Sequence, residues 1–184
     1  MSKYNVFIIS KEDEKIFTNK GYNHTYGSLT STGVNQLLSF IPKYAQCGTF
    51  YDMGCGNGEL ILNLMKNAKF NSYIGIELSS ERIIDFVKKM KSQKIANKNI
   101  QPICKDLLLH NYRDANVIYI SNLCFPEHLN RSIGQLLDKQ LIQGKNVIVF
   151  SSKDIYLTLP HKKKIFYVKQ SWSDKSELIA HFLE

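Results

Sequence analysis

The residues best suited to chemistry in this 184-residue chain form a glycine-rich loop that begins with a carboxylate. Its sequence is Asp52-Met53-Gly54-Cys55-Gly56-Asn57-Gly58, and it lies between a strand-like run at 48–53 and a helix-period segment at 58–66. Glycines let the backbone turn sharply and let a ligand approach without Cβ atoms in the way. Nicotinamide and flavin sites need a glycine at the position of Glu59, so this loop is not their dinucleotide-binding form.

Carboxylates stand at the ends of three successive predicted strands: Asp52, then Glu77, then Asp106. A carboxylate ahead of the glycines suits a cationic group, such as the ammonium of a methionine-type ligand. Glu77 can accept hydrogen bonds from both hydroxyls of a ribose, and Asp106 can receive the exocyclic amine of an adenine. Together they predict S-adenosylmethionine as cofactor. The predicted cofactor-binding residues are Asp52, Gly54, Gly56, Asn57, Gly58, Glu77, Asp106, Leu107 and Asn122.

The elements that must position these residues alternate between strand and helix patterns. Strands of the sheet are predicted at 48–53, 73–77, 100–104, 116–120 and 145–150, with a short strand candidate at 5–10 ahead of them. Helices are predicted at 31–41, 58–66 and 79–93, with one more whose buried stripe is Leu129, Ile133, Leu136 and Leu137 ahead of Gly144. Two further strand-like runs, 164–169 and 177–183, have no helix-length segment between them and predict an antiparallel hairpin. The fold class is α/β, with a doubly wound, mostly parallel seven-stranded sheet that ends in this hairpin.

Length and composition predict one domain over residues 1–184, with a lead-in segment at 1–46 and the core at 47–184. No apolar run approaches the roughly 20 residues that a bilayer requires, and the start contains no signal-peptide core. We therefore expect an intracellular monomer, in nucleus or cytoplasm, without a membrane partner. The four cysteines and five histidines show no metal-binding spacing, so reduced thiols and no metal site are expected.

The net charge of +8 leaves two explanations open. An acidic partner, such as nucleic acid or a nucleoprotein surface, would be attracted by it, and a lysine-biased genome would produce the same charge without a partner. The run His161-Lys162-Lys163-Lys164, predicted as a loop between the fifth strand and the hairpin, could contact phosphates.

Five stretches of the chain resemble a known family. They are Thr25-Tyr26-Gly27, the loop at 52–58, the segments at 117–125 and 149–153, and Ser171-Trp172. The chain resembles, from about Tyr26 to its C-terminus, the disruptor-of-telomeric-silencing family of nucleosomal histone lysine methyltransferases, which are Rossmann-type and non-SET enzymes. Small archaeal and mitochondrial ATP-synthase-subunit lysine methyltransferases look similar in the cofactor half.

The resemblance implies methyl transfer to a lysine that reaches the cofactor through a narrow apolar channel. By resemblance, the residues on the catalytic side are Tyr26, Asn122, Phe125, Ser151 and Trp172. The implied partner is a protein with a target lysine, a histone or nucleosome, with DNA backbone contacts through basic segments such as 162–164. The family usually has two consecutive asparagines where this chain has Ser121-Asn122, and a tyrosine where it has Ile179.

The chemistry fits such a channel. Methyl transfer from a sulfonium to an amine is a one-step displacement that needs in-line placement and a neutral lysine. An apolar channel disfavours the ammonium form by desolvation, and the sulfonium disfavours it by like-charge repulsion.

Two other functions stay open. An RNA or other nucleic-acid methyltransferase would use the same cofactor loop, although adenine methylation usually adds an Asn/Asp-Pro-Pro-aromatic element where this chain has the segment 121–126. Cys124 lacks the Pro-Cys order of a cytosine-methylating nucleophile. A cofactor-binding module without turnover is the second alternative, motivated by Ile179.

Overall fold

The computed structural model describes residues 9–25, 27–95, 99–141 and 145–183. The helices are α1 (Lys11–Lys20), α2 (Ser31–Phe40), α3 (Glu59–Leu64), α4 (Ser80–Ser92) and α5 (Glu127–Gln140). The strands are β1 (Thr49–Met53), β2 (Ser72–Glu77), β3 (Ile100–Cys104), β4 (Ala115–Ile120), β5 (Val147–Ser151), β6 (His161–Gln170) and β7 (Ser173–Leu183). Single 3₁₀ turns occur at Ala45–Cys47 and Leu107–Leu109.

All seven strands form one sheet in the order β3-β2-β1-β4-β5-β7-β6. Strands β1 to β5 run parallel, and β7 is antiparallel to both β5 and β6. This arrangement confirms the predicted fold class. The strand order reverses between β1 and β4, and ligands of open α/β sheets bind in the crevice at the carboxyl ends of the strands at such a point.

Helices cover the two faces of the sheet, so neighbouring residues of a strand enter different cores. Phe50 packs with residues of α2, α3 and α4 on one face, whereas Tyr51 packs with residues of α5 on the other. Both are almost fully buried. Double burial explains why the central strands are continuous apolar runs rather than alternating ones.

Helix α1 was not predicted from the sequence. Its N-cap is Ser10, whose hydroxyl accepts a hydrogen bond from the Asp13 amide at 3.1 Å, and its C-cap is Gly21 with a φ of 64°. Of its ten residues only Asp13 and Phe17 are buried, so the apolar period is too weak to reveal it. The capping residues and the acidic first turn were the available signals.

The basic run at 161–164 was predicted as a loop, and this prediction was wrong. His161 begins β6, which lies at the edge of the sheet, and edge strands commonly carry exposed lysines. Most of the predicted strand at 5–10 and the predicted stop at Gly144 lie outside the described residues, while Ile9 and Ser10 lead into α1.

No described helix is both long and apolar enough to cross a membrane. Within the ranges that the structure describes, no group of three or more His, Cys, Asp or Glu side chains could hold a metal ion.

Candidate active site

The glycine loop leaves β1 in a backbone shape that only glycine adopts easily. Gly54, Gly56 and Gly58 have φ values of 85°, 54° and 74°. Space is also restricted, because a Cβ atom on Gly58 would lie 2.2 Å from the ring of Phe86 in α4. The glycines are therefore required by the turn and its packing.

Backbone hydrogen bonds join this loop to the end of β2. The amides of Gly54 and Cys55 donate to the Ile76 carbonyl at 2.8 and 3.0 Å. The amide of Gly56 donates to the Glu77 carboxylate at 2.9 Å. These bonds hold the second predicted carboxylate directly beside the loop.

Glu77 is almost completely buried, and its charge is compensated. Its second oxygen accepts the Ser79 amide at 2.9 Å and lies 3.7 Å from the Arg82 guanidinium. Arg82 also donates to the His24 carbonyl, which ties the segment after α1 to α4. An ionised carboxylate offers about four lone-pair sites, so Glu77 keeps acceptor capacity for ribose hydroxyls.

Asp52 is the most buried of the three predicted carboxylates, with only 3% of the residue exposed. Burial, and then the charge of Glu77, raise the pKa of Asp52 to about 8. A cation placed against this carboxylate would restore its charged form. This carboxylate, as a hydrogen-bond acceptor, thus fits the ammonium end of S-adenosylmethionine.

Asp106 caps the 3₁₀ turn after β3 and also contacts α1. One of its oxygens accepts the Leu108 amide at 2.9 Å, and the other lies 2.8 Å from the Lys20 ammonium. At the other end of α1, Asp13 accepts a 2.6 Å hydrogen bond from the Ser79 hydroxyl. Helix α1 is therefore fixed at both ends over the carboxyl edge of the sheet.

Cavities open along this edge between described residues, and we name three of them, each after one lining residue. The Glu77 cavity is lined by residues that include Tyr22, Gly27, Gly54, Glu77, Leu78, Asp106, Leu107, Ser121 and Phe125. The Asp52 cavity is lined by Gly27, Ser28, Leu29, Asp52, Gly54, Cys55, Leu60, Tyr119 and Ser121. The Trp172 cavity, about 400 Å³, is lined by Thr25, Gly27, Ser121, Leu123, Cys124, Ser171 and Trp172. Gly27 and Ser121 line all three, so the cavities meet at these two residues.

The indole of Trp172 lies on the backbone of Gly27. A Cβ atom on Gly27 would be 1.9 Å from the ring, so any larger residue would displace the indole. Trp172 sits in the turn between β6 and β7 and is 45% exposed, which separates it from the packed core. Together with exposed Leu123 it forms an apolar entrance.

The structure brings most of the predicted residues to these cavities. Asp52, Gly54, Glu77, Asp106, Leu107, Phe125 and Trp172 line one cavity or more. Phe125 lines the Glu77 cavity rather than the Trp172 cavity, with its ring near Gly54. Gly56, Asn57 and Gly58 complete the loop and are not among the residues that line the three cavities. Tyr26 lies outside the described residues.

Asn122 has a different environment from the one predicted. Its side chain is fully buried and bonds to Asn130 at 2.8 Å and to the backbone of Lys153 at 2.9 and 3.1 Å. It does not belong to the residues that line the three cavities, whereas Ser121 lines all of them. Asn122 therefore holds the loops after β4 and β5 together.

Ser151 is also buried, within the sheet rather than at a cavity. Its hydroxyl lies 3.3 Å from the His181 imidazole of β7, and the His161 ring lies 5.0 Å from that of His181. Burial, and then the neighbouring His161, lower the pKa of His181 to about 4. Ser151 therefore contacts the neighbouring strand and is not among the residues that line the three cavities.

Several lining residues were not predicted. Tyr22, Asn23, Thr25 and Gly27 come from the segment after α1, which has no regular pattern in the sequence. Ser121 could have been found, because it occupies the first of the two positions at which the resembling family has asparagine.

Comparison with known proteins supports the same fold and chemistry. A family model described as "Putative methyltransferase" matches residues 46–129, which include the glycine loop and all three carboxylates. A relative from Saccharolobus islandicus (strain REY15A), named Protein-lysine N-methyltransferase, is 21% identical over 117 residues, which are 62% of this chain and 68% of the relative.

Two methyltransferases serve as examples of solved structures with the same fold. An RNA methyltransferase from Salinibacter ruber, bound to S-adenosyl-L-homocysteine, gives a TM-score of 0.61 at 16% identity and covers 82% of this chain and 89% of its own. A geranyl diphosphate C-methyltransferase from Streptomyces coelicolor A3(2) gives 0.55 at 10% identity, with 77% and 65% covered.

These findings confirm the Rossmann-like fold, and they agree with S-adenosylmethionine as the predicted cofactor. The assignment to the disruptor-of-telomeric-silencing family stays a prediction. The fold, the glycine loop with its three carboxylates and the family match support an S-adenosylmethionine-dependent methyltransferase.

Proposed function

We propose that this chain is a protein lysine N-methyltransferase. The observation that carries the proposal is the meeting of the Trp172 cavity with the two cofactor cavities at Gly27 and Ser121. Its apolar entrance, formed by Trp172 and Leu123, suits a long side chain that enters from the surface of a larger molecule. A reacting amine at its inner end would lie beside the cofactor.

S-adenosylmethionine, when bound, supplies a sulfonium methyl group for in-line transfer to an amine. Trp172 and Leu123 present apolar surface to the lysine methylenes. An apolar environment disfavours the ammonium form, so the lysine enters the reaction neutral. The Ser121 hydroxyl can accept a hydrogen bond from the amine and orient its lone pair.

Two similarities of the sequence support lysine as the acceptor. One is the curated relative, whose name is Protein-lysine N-methyltransferase. The other is the resemblance carried by Ser171-Trp172 and the segment 117–125. On the strength of that resemblance we further propose a histone or nucleosome as substrate, DNA backbone contact through 162–164, and a monomeric enzyme of the nucleus or cytoplasm.

The test is incubation of the protein with methyl-labelled S-adenosylmethionine and four separate acceptors: nucleosomes, free histones, total lysate protein and bulk RNA. We expect acid-stable label in protein, recovered as methyl-lysine after hydrolysis. Trp172→Ala should lower this transfer at least tenfold and change S-adenosylhomocysteine binding less than twofold. Label that enters RNA alone would overturn the proposal.

An RNA methyltransferase is the second candidate, and the basic charge favours it. The chain carries +8, and β6 begins with His161 and three lysines. Binding through phosphates would weaken steeply as salt rises. Nuclease-sensitive label with such a salt dependence would support this candidate, and tight cofactor binding without any transfer would support a non-catalytic module.

A further inference from the structure

Among the described strands β6 is at the edge of the sheet, and one side of its backbone is open to a partner there over most of its length. Within the described residues its ladder partner is β7, and the opposite side is bonded only near its end, by an isolated bridge between Leu29 and Gln170 and by contacts of Lys169. The Lys169 carbonyl accepts the Thr30 amide at 3.2 Å, and its amide donates to the Gln36 side chain at 2.8 Å. Lys169 thus turns its backbone away from β7.

Lys163, Ile165 and Tyr167 precede Lys169 at alternate positions, and their backbone groups point in the same direction as those of Lys169. Alternate residues of an antiparallel strand turn their N–H and C=O groups to the same side. The register shift near Lys169 places the extra residue on β7, since Val168 pairs with Ser176 and Gln170 pairs with Ser173. Alternation along β6 is therefore kept, and the outward backbone groups of Lys163, Ile165 and Tyr167 have no ladder partner among the described residues.

The side chains of these three residues form an exposed surface, which we call the hairpin face (Lys163, Ile165 and Tyr167). Ile165 is 58% exposed and Tyr167 is 46% exposed. The opposite face of β6 is covered, because Phe166 stacks on Phe40 of α2 with ring centroids 4.0 Å apart. An edge strand with exposed apolar side chains is a template for strand addition.

The charge of β6 favours one kind of partner strand at this edge. Strand β6 contains Lys162, Lys163, Lys164 and Lys169 and no acidic residue, and Lys175 of β7 lies over the Tyr167 ring at 4.6 Å. Asp154 and Asp174 pair with Lys163 and Lys169, so fewer acidic groups than lysines lie along this edge and it stays basic. A second copy of β6 would bring four more lysines against these, and like charges across a strand pair are destabilising. An acidic strand would be attracted instead.

We propose that the open edge of β6 and the hairpin face bind an extended acidic segment of the protein substrate as an added strand. The inference rests on the proposed function, since the occupant belongs to a protein acceptor. The same hairpin carries Ser171 and Trp172, which line the Trp172 cavity. A segment bound on β6 would hold its protein beside the entrance through which the lysine passes.

The experiment uses a synthetic peptide of alternating glutamate and valine, Glu-Val-Glu-Val-Glu-Val-Glu, and amide hydrogen exchange followed by NMR. We expect the outward amides of Lys163, Ile165 and Tyr167 to exchange at least tenfold more slowly when the peptide is saturating. A peptide with a central proline, and one with lysine in place of glutamate, should give no protection.

Two variants separate strand addition from general effects on folding. Ile165→Pro removes an outward N–H that β7 does not use, so it should weaken peptide binding at least tenfold. Ile165→Val keeps the N–H and should bind within twofold of the wild type. Both should keep S-adenosylhomocysteine affinity within twofold, which shows that the fold is intact.

Three results would overturn the inference. They are unchanged exchange at saturating peptide, protection that rises with protein concentration in the absence of peptide and so indicates a second copy, and displacement of the peptide by a single-stranded RNA that protects none of these amides. No methyl transfer is measured, so failure here leaves the labelling result for the proposed function unaffected.

Discussion

The buried carboxylate of Asp52 makes cofactor binding depend on pH in a defined direction. Its pKa is raised to about 8, so at pH 7 about nine tenths of the unliganded protein carries a neutral carboxylic acid there. A cofactor ammonium requires the carboxylate. Binding at pH 7 must therefore expel about one proton, provided that the contact between the ammonium and Asp52 is made.

The size of the effect on cofactor affinity follows from the difference between the pH and the pKa of Asp52. Each pH unit below 8 costs about 1.4 kcal/mol, or a factor of about ten in affinity. The dissociation constant of S-adenosylhomocysteine should fall about tenfold from pH 6 to pH 7, then by a smaller factor to pH 8, where half of the carboxyls are already ionised. The free energy of unfolding of the unliganded protein should fall as the pH rises from 6 to 8, because the folded state holds a proton on Asp52 that the unfolded chain has lost.

Titration calorimetry in two buffers of different ionisation enthalpy measures both the affinity for S-adenosylhomocysteine and the number of protons released on binding. We expect about 0.9 proton released per cofactor bound at pH 7. Asp52→Asn is the matched control, because it keeps the size of the side chain and removes the titration, so its weaker binding should be nearly independent of pH between 6 and 8. Wild-type affinity that is flat over this range, without proton release, would refute the assignment of Asp52 to the ammonium.

Three further perturbations test other parts of the site. Gly27→Ala places a Cβ atom 1.9 Å from the indole of Trp172 and should lower turnover at least tenfold; turnover within twofold of wild type would contradict the contact. Gly58→Ala combines a φ of 74° with a Cβ 2.2 Å from Phe86 and should destabilise the fold by about 2–4 kcal/mol in urea unfolding, while a loss below about 1 kcal/mol would show that the loop adapts. The pKa of His181 is lowered to about 4, so the folded state resists its protonation, and stability should fall by up to about 3 kcal/mol as pH drops from 6.5 towards 4; His181→Gln should lose that slope, and an equal slope in both proteins would be the contrary result.

The sheet and the cofactor loop could be predicted because their signals are local. Central strands such as β1 and β4 are short apolar runs, and a glycine loop between strand and helix has few alternative structures. The loop also fixed the expectation for Glu77, since the end of the next strand comes beside it in a parallel sheet. The structure places the loop after β1 and Glu77 at the end of β2, as the strand pattern indicates.

The assignment of side chains at the carboxyl edge was harder. Successive residues after a strand can face opposite sides, so a shift of one position exchanges a cavity residue for a buried one. Ser121 and Asn122 show this effect, because the first lines the cavities and the second bonds to Asn130 in the interior. No periodic signal distinguishes two adjacent polar residues.

The remaining differences from the sequence-based predictions result from contacts between segments that are distant in the chain. Helix α1 depends on its caps and on the ion pair of Lys20 with Asp106, which lie 86 positions apart in the chain. Ser151 is buried because His181 of the last strand lies against it. Contacts between distant segments leave no trace in a single sequence.

The most direct test of the central claim is mass spectrometry of the methylated product after reaction with S-adenosylmethionine, for the wild type and Trp172→Ala. We predict a mass increase of about 14 Da, or multiples of it, on lysine side chains of an acceptor protein, at least tenfold reduced in the variant although it still binds S-adenosylhomocysteine. Methylation found on RNA and on no lysine, or lysine methylation that is unaffected by the loss of Trp172, would contradict transfer through the Trp172 cavity.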